Sequence, residues 1–189
     1  MSFNLDVLIE NCLSSLKSEN PSKEISALVA EAVSDPVSLM KGIGKPERAQ
    51  VQKLYVSDEL TIANVVWAPR MTLLPHNHNM YAIIGVYEGR EDNIFWRRVK
   101  DDNNGKIEAA GAKSLATGDT TILGKSIIHS VTNPTSIFTG AIHVYDGNFF
   151  EKERSEWEPI DLEEKPYDLE KNMGIFEAEN AILDLRKAN

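Results

Sequence analysis

The chain has 189 residues, enough for one domain with a sizeable core and short extensions. Its 29 acidic and 20 basic residues give a formal net charge of −9, which repels phosphate backbones and anionic lipids and argues against nucleic-acid or membrane partners. Cys12 is the only cysteine, so no internal disulfide is possible and a reducing, cytoplasmic location is expected. The N-terminus carries Asp6 and Glu10 in place of a basic leader, and no long uncharged apolar run predicts a transmembrane span.

Residues 1–45 are predicted to form a helical extension. A first amphipathic helix is indicated by apolar residues at helical spacing, namely Leu5, Leu8, Ile9, Cys12, Leu13 and Leu16. Pro21 interrupts it, and Ser22 can cap a second helix. Pro36 and the glycines at 42 and 44 then end the helical pattern.

Residues 46–150 are predicted to form strands, because short β-branched and aromatic runs alternate with turn residues. The runs are VQKLYV, LTIANVVW, MYAIIGVY, NIFWRRV, TTIL, IIHSVT and SIFTGAIHVY. Asn104-Gly105 is a strong hairpin pattern. Many short strands without a long helix between them indicate a mainly β fold, an antiparallel barrel or sandwich. Residues 151–189 are charged and are predicted to form an extended arm and a short helix packed outside the barrel.

The four histidines all lie in the strand region. His76 and His78 are two residues apart, so in a strand they project from the same face, as two ligands of one metal require. A barrel can bring His129, on another predicted strand, beside them. His143 shares a strand face with Tyr145 by the same spacing. The alternative is that these are unrelated core histidines.

Two segments resemble the motifs of the cupin family. The first runs from Arg70 to Gly89 as RMTLLPHNHNMYAIIGVYEG, and the second runs from Gly118 through His129 to Asn133. The resemblance implies a double-stranded β-helix, also called a jelly-roll barrel, with His76, His78 and His129 as metal ligands. Arg70 replaces the opening glycine of the first motif. Ala82 replaces the glutamate that is normally the fourth ligand.

The loss of that carboxylate resembles the thiol dioxygenase branch of the family, typified by cysteine dioxygenase. Trp67 precedes the histidine pair by the spacing seen there, and AIHVY resembles that branch's Ser-x-His-x-Tyr segment. The resemblance implies a mononuclear non-haem Fe(II) enzyme that uses dioxygen to oxidise a small thiol to its sulfinate. His143 would orient Tyr145, which would contact substrate or oxygen. Ala141 replaces the serine of that segment.

Substrate-binding residues are proposed less directly. The arginine that clamps the substrate carboxylate in that branch falls near Lys53, and Lys offers a point charge where Arg offers a fork. Arg70 lies six residues before His76 and is expected on the same face. Arg97 and Arg98 alternate faces on NIFWRRV, so one of them, taken as Arg98, is expected to point inward and bind a carboxylate.

Two other functions stay open. One is a cupin metalloenzyme, another dioxygenase or an isomerase, that acts on a non-thiol substrate with nickel, manganese or zinc. The other is a non-catalytic cupin that binds a ligand or partner. The N-terminal helices are expected to cover the barrel or to join two subunits in a homodimer.

Overall fold

A computed structural model describes residues 3–188 of the chain. Its helices are α1 Leu5–Ser15, α2 Pro21–Ser34, α3 Pro36–Ile43 and α4 Leu169–Ala188. Its first strands are β1 Gln50–Val56, β2 Thr61–Trp67, β3 Thr72–Asn77, β4 Ala82–Glu88, β5 Arg90–Arg98 and β6 Ile107–Ala116. The later strands are β7 Thr120–Leu123, β8 Ile128–Thr132, β9 Thr139–Tyr145, β10 Ser155–Trp157 and β11 Glu164–Pro166. Within residues 3–188, none of the helices combines the length and apolarity needed to cross a bilayer.

The strands form two antiparallel sheets with the orders β1-β2-β9-β4-β7 and β11-β10-β3-β8-β5-β6. Apolar side chains of both sheets share one interior, as where Trp67 of β2 meets Leu73 of β3 and Val131 of β8. The predicted fold class is therefore confirmed: a mainly β double-stranded β-helix, preceded by helices and followed by a C-terminal segment. The domain boundaries at 45 and 150 stay a prediction, and residues 1, 2 and 189 of the outer segments lie outside the described part.

Strand β3 carries a bulge that decides where His76 points. Leu73 pairs with Val131 of β8, whereas His76 pairs with His129, so β3 holds one extra residue between these pairs. Pro75 lies in that interval and cannot donate to the ladder, which suits a bulge. The extra residue places His76 directly opposite His129.

The N-terminal helices cover the first sheet, and two details differ from expectation. Ser22 is not the cap of α2, because Pro21 already occupies the first turn of that helix, where its missing N–H costs nothing. Pro36 does not end the helical region. It opens α3, whose N-cap Asp35 accepts a hydrogen bond from the Ser38 backbone N–H at 3.0 Å.

The C-terminal region is more integrated than predicted. Strands β10 and β11 extend the second sheet, and Glu156 of β10 pairs with His76 of β3. The helix that follows is α4, with 20 residues in place of a short one. Phe176 of α4 packs on Trp67, with ring centroids 5.4 Å apart. The arm therefore forms a wall of the barrel interior.

Helix α2 packs so closely on β4 that Gly85 has no room for a side chain. A Cβ there would lie 2.5 Å from a Val29 methyl and 3.0 Å from a Val33 methyl. We expect Gly85→Ala to lower the free energy of unfolding by about 1–3 kcal/mol, the usual cost of overpacking. Gly111→Ala is the matched control, because nothing lies within 4 Å of a Cβ there. Urea denaturation measures both, and equal stabilities of the two variants would contradict this account of the packing.

Candidate metal centre

Three histidines converge inside the barrel. His76 on β3, His78 just beyond its end and His129 on β8 are all buried, and their ligand nitrogens lie within 4.8 Å of one another. The Nε2 atom of His78 is 3.3 Å from the Nε2 of His76 and 3.3 Å from the Nε2 of His129. The structure thus brings together the three residues predicted as ligands.

The hydrogen bonds of these rings aim lone pairs at a common point. The Nδ1 of His76 lies 2.8 Å from the Leu74 carbonyl oxygen, which can only accept, so Nδ1 carries the proton and Nε2 a lone pair. The Nδ1 of His129 likewise donates to the Asn93 side-chain oxygen at 2.6 Å. His78 Nε2 therefore faces two unprotonated nitrogens, and one proton on it could satisfy only one of them. A shared cation satisfies all three.

Burial keeps these imidazoles neutral, which is the form that binds metals. Burial lowers the pKa of His76 to about 4, and the nearby Arg154 charge adds to that effect. Burial also lowers the pKa of His78 and of His129 well below the usual range, and the other histidines of the cluster add to the effect.

The spacing of the nitrogens fits a divalent ion. Two imidazole nitrogens bound at about 2.0–2.1 Å with an angle between 90 and 109° lie about 2.8–3.4 Å apart, which brackets the 3.3 Å separations. No carboxylate among residues 3–188 joins the cluster. The donor set is therefore three neutral nitrogens, which suits iron, zinc, nickel or copper and leaves ligand positions open.

Tyr145 faces the cluster with its hydroxyl held by His143. Its ring meets the His78 ring edge-on, with centroids 5.2 Å apart, and stacks on Phe149 at 4.3 Å. The Tyr145 hydroxyl lies 3.0 Å from His143 Nδ1. Burial raises the pKa of Tyr145 far above its ordinary value, so the resting side chain is a neutral phenol. The two residues predicted as catalytic thus lie beside the predicted ligands.

Two buried polar residues of β5, Glu91 and Asn93, were not found from the sequence. Asn93 accepts from His129 and donates through Nδ2 to Glu91 Oε1 at 3.0 Å. Glu91 Oε2 accepts from the Trp67 indole N–H at 3.0 Å and lies 3.6 Å from His143 Nε2. Burial alone would raise the pKa of Glu91, but His143, Asn93 and Trp67 lower it overall, so it is a carboxylate. The sequence pattern that could have indicated them is their two-residue spacing, which places both side chains on the same face of strand β5.

The cavity beside the cluster is narrow and mostly apolar. Its volume of about 30 Å³ is room for one or two waters in this conformation. The walls away from the histidines are Val51, Val65, Trp67, Leu73, Val131, Tyr145, Phe149, Tyr167, Met173 and Phe176. Such walls offer water few hydrogen bonds and admit only a small ligand.

The structure does not bring the three predicted substrate-binding residues to this cavity. Arg70 is exposed and donates to the Pro134 carbonyl. Lys53 is exposed with its ammonium over the Phe150 ring. Arg98 is exposed and paired with Glu164. The expectation that Arg97 or Arg98 points inward is wrong, because Arg97 is also exposed, in an ion pair with Glu108.

Arg154, which sequence reasoning missed, is a buried arginine whose charge contributes to the lowered pKa of His76 and His78. It lines the neighbouring groove with Tyr167 and not the histidine cavity itself. It is 7% exposed, and its guanidinium lies between the rings of Phe149 and Tyr167, 4.2 and 3.9 Å from their centroids. Both rings line the cavity. Its Nη1 donates to the Phe149 and Lys152 carbonyls, whereas its buried Nε and Nη2 have no hydrogen-bond partner. Within residues 3–188 no carboxylate forms an ion pair with it.

Several solved structures of other proteins are similar to part of this chain. No family model matches the chain. Recombinant oxalate oxidase in complex with glycolate is 18% identical with a TM-score of 0.38, over 47% of this chain and 42% of that chain. Oxalate decarboxylase from Bacillus subtilis at pH 4.6 is 17% identical with a TM-score of 0.40, over 51% of this chain and 23% of that chain.

An RmlC-like cupin family protein with a double-stranded beta-helix fold from Methanocaldococcus jannaschii is 14% identical with a TM-score of 0.44, over 57% of this chain and 89% of that chain. The chain spans less than half the length of the oxalate oxidase that it matches. Similarities this distant carry no inference about activity. The structure itself shows a two-sheet β-barrel with a three-histidine cluster of metal-binding geometry.

Acid is expected to destabilise the metal-free protein. The pKa of His76 is about 4 in the fold against an ordinary 6.5, so between these pH values the unfolded chain binds a proton that the fold does not. The free energy of unfolding then falls as pH falls, by at most about 1.4 kcal/mol per pH unit for each such histidine. Urea denaturation of the metal-free wild type and of His76→Gln across this range should show a shallower slope for the variant. Parallel slopes would contradict the buried neutral His76.

Proposed function

We propose that the protein is an iron-dependent thiol dioxygenase that transfers both atoms of dioxygen to the sulfur of a small carboxylate-bearing thiol, giving a sulfinate. The observation that carries the proposal is the set of three neutral imidazoles without a carboxylate, faced by a tyrosine that a histidine holds. The single cysteine supports action in a reducing, cytoplasmic compartment, where small thiols are stable.

His76, His78 and His129 would hold the metal through their Nε2 atoms. Bound Fe(II) would supply a divalent charge that favours the thiolate form of a substrate, together with open positions for substrate and dioxygen. The Leu74 carbonyl holds the Nδ1 proton of His76, and the Asn93 side chain holds that of His129. These two ligands therefore need no reorientation when the ion binds.

Arg154 is the best-supported anchor for a substrate carboxylate. A buried guanidinium without an anionic partner is costly and cannot deprotonate. An anion that enters between the histidines and Arg154 would compensate it through Nε and Nη2, the two nitrogens that are unpartnered now. The flanking Phe149 and Tyr167 rings hold the guanidinium plane in place.

The remaining residues shape the reaction space. Tyr145 presents its hydroxyl beside His78 and can hydrogen-bond to a ligand next to the cluster. Met173 and Phe176 of α4 close the apolar wall. An apolar wall would limit the access of water to the reacting sulfur and would strengthen the electrostatic attraction between Arg154 and an anion.

Oxygen uptake with a panel of small molecules tests the proposed activity. The protein is loaded anaerobically with Fe(II), and uptake is followed with cysteine, cysteamine and 3-mercaptopropionate, with oxalate as a non-thiol member. We expect uptake that depends on a carboxylate-bearing thiol, with a product heavier by two oxygen atoms in mass spectrometry. Zinc-loaded protein and His129→Ala are the controls. Stoichiometric iron without thiol-dependent uptake would refute the proposal, and uptake with oxalate alone would favour a non-thiol enzyme.

Replacement of Arg154 tests the carboxylate anchor. We expect Arg154→Met to raise KM for a thiol acid at least about tenfold, the scale of a lost charged hydrogen bond, with little change for a thiol that lacks a carboxylate. Lys53→Met, Arg70→Met and Arg98→Met test the residues predicted from sequence, and we expect smaller effects. Arg154→Met loses two backbone hydrogen bonds but also removes a buried charge without an ionic partner, so thermal stability should change little. A fall in stability with unchanged KM would show a structural role instead.

A further inference from the structure

Glu91 is a buried carboxylate that no lysine or arginine neutralises within residues 3–188. It is fully buried, and its one ion-pair contact is His143. Its other partners are the N–H groups of Trp67 and Asn93. Three groups therefore converge on one carboxylate in the barrel core: Trp67, Asn93 and His143.

The hydrogen bonds that Glu91 makes with Trp67 and Asn93, and the one from Asn93 to His129, each have a fixed direction. An indole N–H can only donate, so Trp67 donates to Glu91 Oε2. Asn93 turns its amide nitrogen to Glu91 Oε1 and its oxygen to His129 Nδ1. That orientation leaves the Nε2 lone pair of His129 for the metal. The Glu91 carboxylate thus sets the direction of the hydrogen bonds that run from His129 through Asn93 to Glu91.

The same argument applies to His143 and Tyr145. His143 turns Nε2 toward Glu91 Oε2 at 3.6 Å and Nδ1 toward the Tyr145 hydroxyl at 3.0 Å. A carboxylate offers only acceptors, so a single proton on the imidazole is favoured on Nε2, because a lone pair there would face the carboxylate across 3.6 Å. His143 Nδ1 must then accept, and Tyr145 must donate to it. The Tyr145 oxygen can then accept a hydrogen bond from a ligand bound at the histidine cluster.

We propose that Glu91 is a positioning residue that fixes the Nε2–H tautomer of His143 and thereby makes Tyr145 a hydrogen-bond acceptor toward the ligand. The group that meets Tyr145 is then a donor, such as an ammonium, thiol or hydroxyl, and not a carboxylate oxygen. The tautomer stands on the geometry alone, whereas the ligand preference rests on the proposed function.

Position 141 shows why such a residue is needed. Ala141 on β9 has no side-chain donor or acceptor, so nothing two residues before His143 can fix its ring. Glu91 reaches His143 from β5, in the facing sheet. The partner therefore comes from across the core and is shared with His129 through Asn93. One side chain sets the orientation of a metal ligand and of the tyrosine.

Nitrogen NMR of the zinc-loaded protein with labelled histidine tests the tautomer without turnover. The three ligands should each be protonated on Nδ1, so an unprotonated Nδ1 beside a protonated Nε2 can come only from His143. We expect that pattern in the wild type, with the signal shifted in Tyr145→Phe, which assigns it. A proton on His143 Nδ1 in the wild type would overturn the proposal, and this outcome needs no variant to fold.

Two variants separate positioning from packing. Glu91→Leu removes every acceptor, and we expect the His143 proton to move at least in part to Nδ1. Glu91→Gln cannot accept from three donors, so it should either change that tautomer or disturb Asn93 and weaken metal binding by about 10–100-fold. Glu156→Gln is the matched control, a buried carboxylate of the same sheet bound to Lys171 and Asn172, and the His143 tautomer should not change. An unchanged tautomer in Glu91→Leu, or changes of equal size in Glu156→Gln, would refute the role of Glu91.

If the tautomer is as proposed but no thiol-dependent oxygen uptake occurs, the function is wrong and the role of Glu91 stands. If uptake occurs while His143 carries its proton on Nδ1, the reverse holds. With both intact, thiols that carry an ammonium should lose more affinity in Glu91→Leu than thiols that do not, measured as KM against kcat. Equal losses for the two kinds of thiol would overturn the inferred ligand preference.

Discussion

The site depends on one electrostatic constraint: three imidazole nitrogens meet in a narrow, mostly apolar cavity with room for only about one or two waters. The Nε2 atom of His78 lies 3.3 Å from the Nε2 atoms of both His76 and His129, and one proton on it could satisfy only one of these contacts, whereas a cation among the three nitrogens satisfies both. Burial prevents the simple remedy of protonation, because it lowers the pKa of each ring. A bulge on β3 and a backbone carbonyl at Leu74 hold one ring in this arrangement, and Asn93 holds another. The fold is therefore arranged for a bound ion.

Two buried charges of opposite sign, Glu91 and Arg154, differ in how the surrounding protein partners them. Glu91 accepts from the N–H groups of Trp67 and Asn93, and His143 Nε2 lies 3.6 Å from it. Arg154 keeps two nitrogens without partners. A satisfied charge orders its neighbours, whereas an unsatisfied one is a standing cost that a ligand can remove. This contrast assigns positioning to Glu91 and ligand recognition to Arg154.

Short-range patterns carried most of what the sequence could predict. Two-residue spacing placed His76 beside His78 and His143 beside Tyr145, because strand alternation is a local property. The β-branched runs found most strands. The run of strand β3 was not recognised because Pro75 interrupts its pattern at the bulge. The run of β6 was not recognised because its residues are small and mostly exposed. The fold class followed because it needs only the number and kind of elements.

The residues that were missed depend on pairing across the chain. Arg154 follows the barrel strands by sequence but lies near the cluster because β10 adds to β3, where Glu156 pairs with His76. Glu91 matters only because β5 faces β9 across the core. An arginine near Glu151–Glu158 has the composition of a solvated surface, and no local pattern marks it as buried. Strand pairing decides which charged residues lie inside a barrel. The buried charges of this site therefore follow from the topology, and no local sequence motif predicts them.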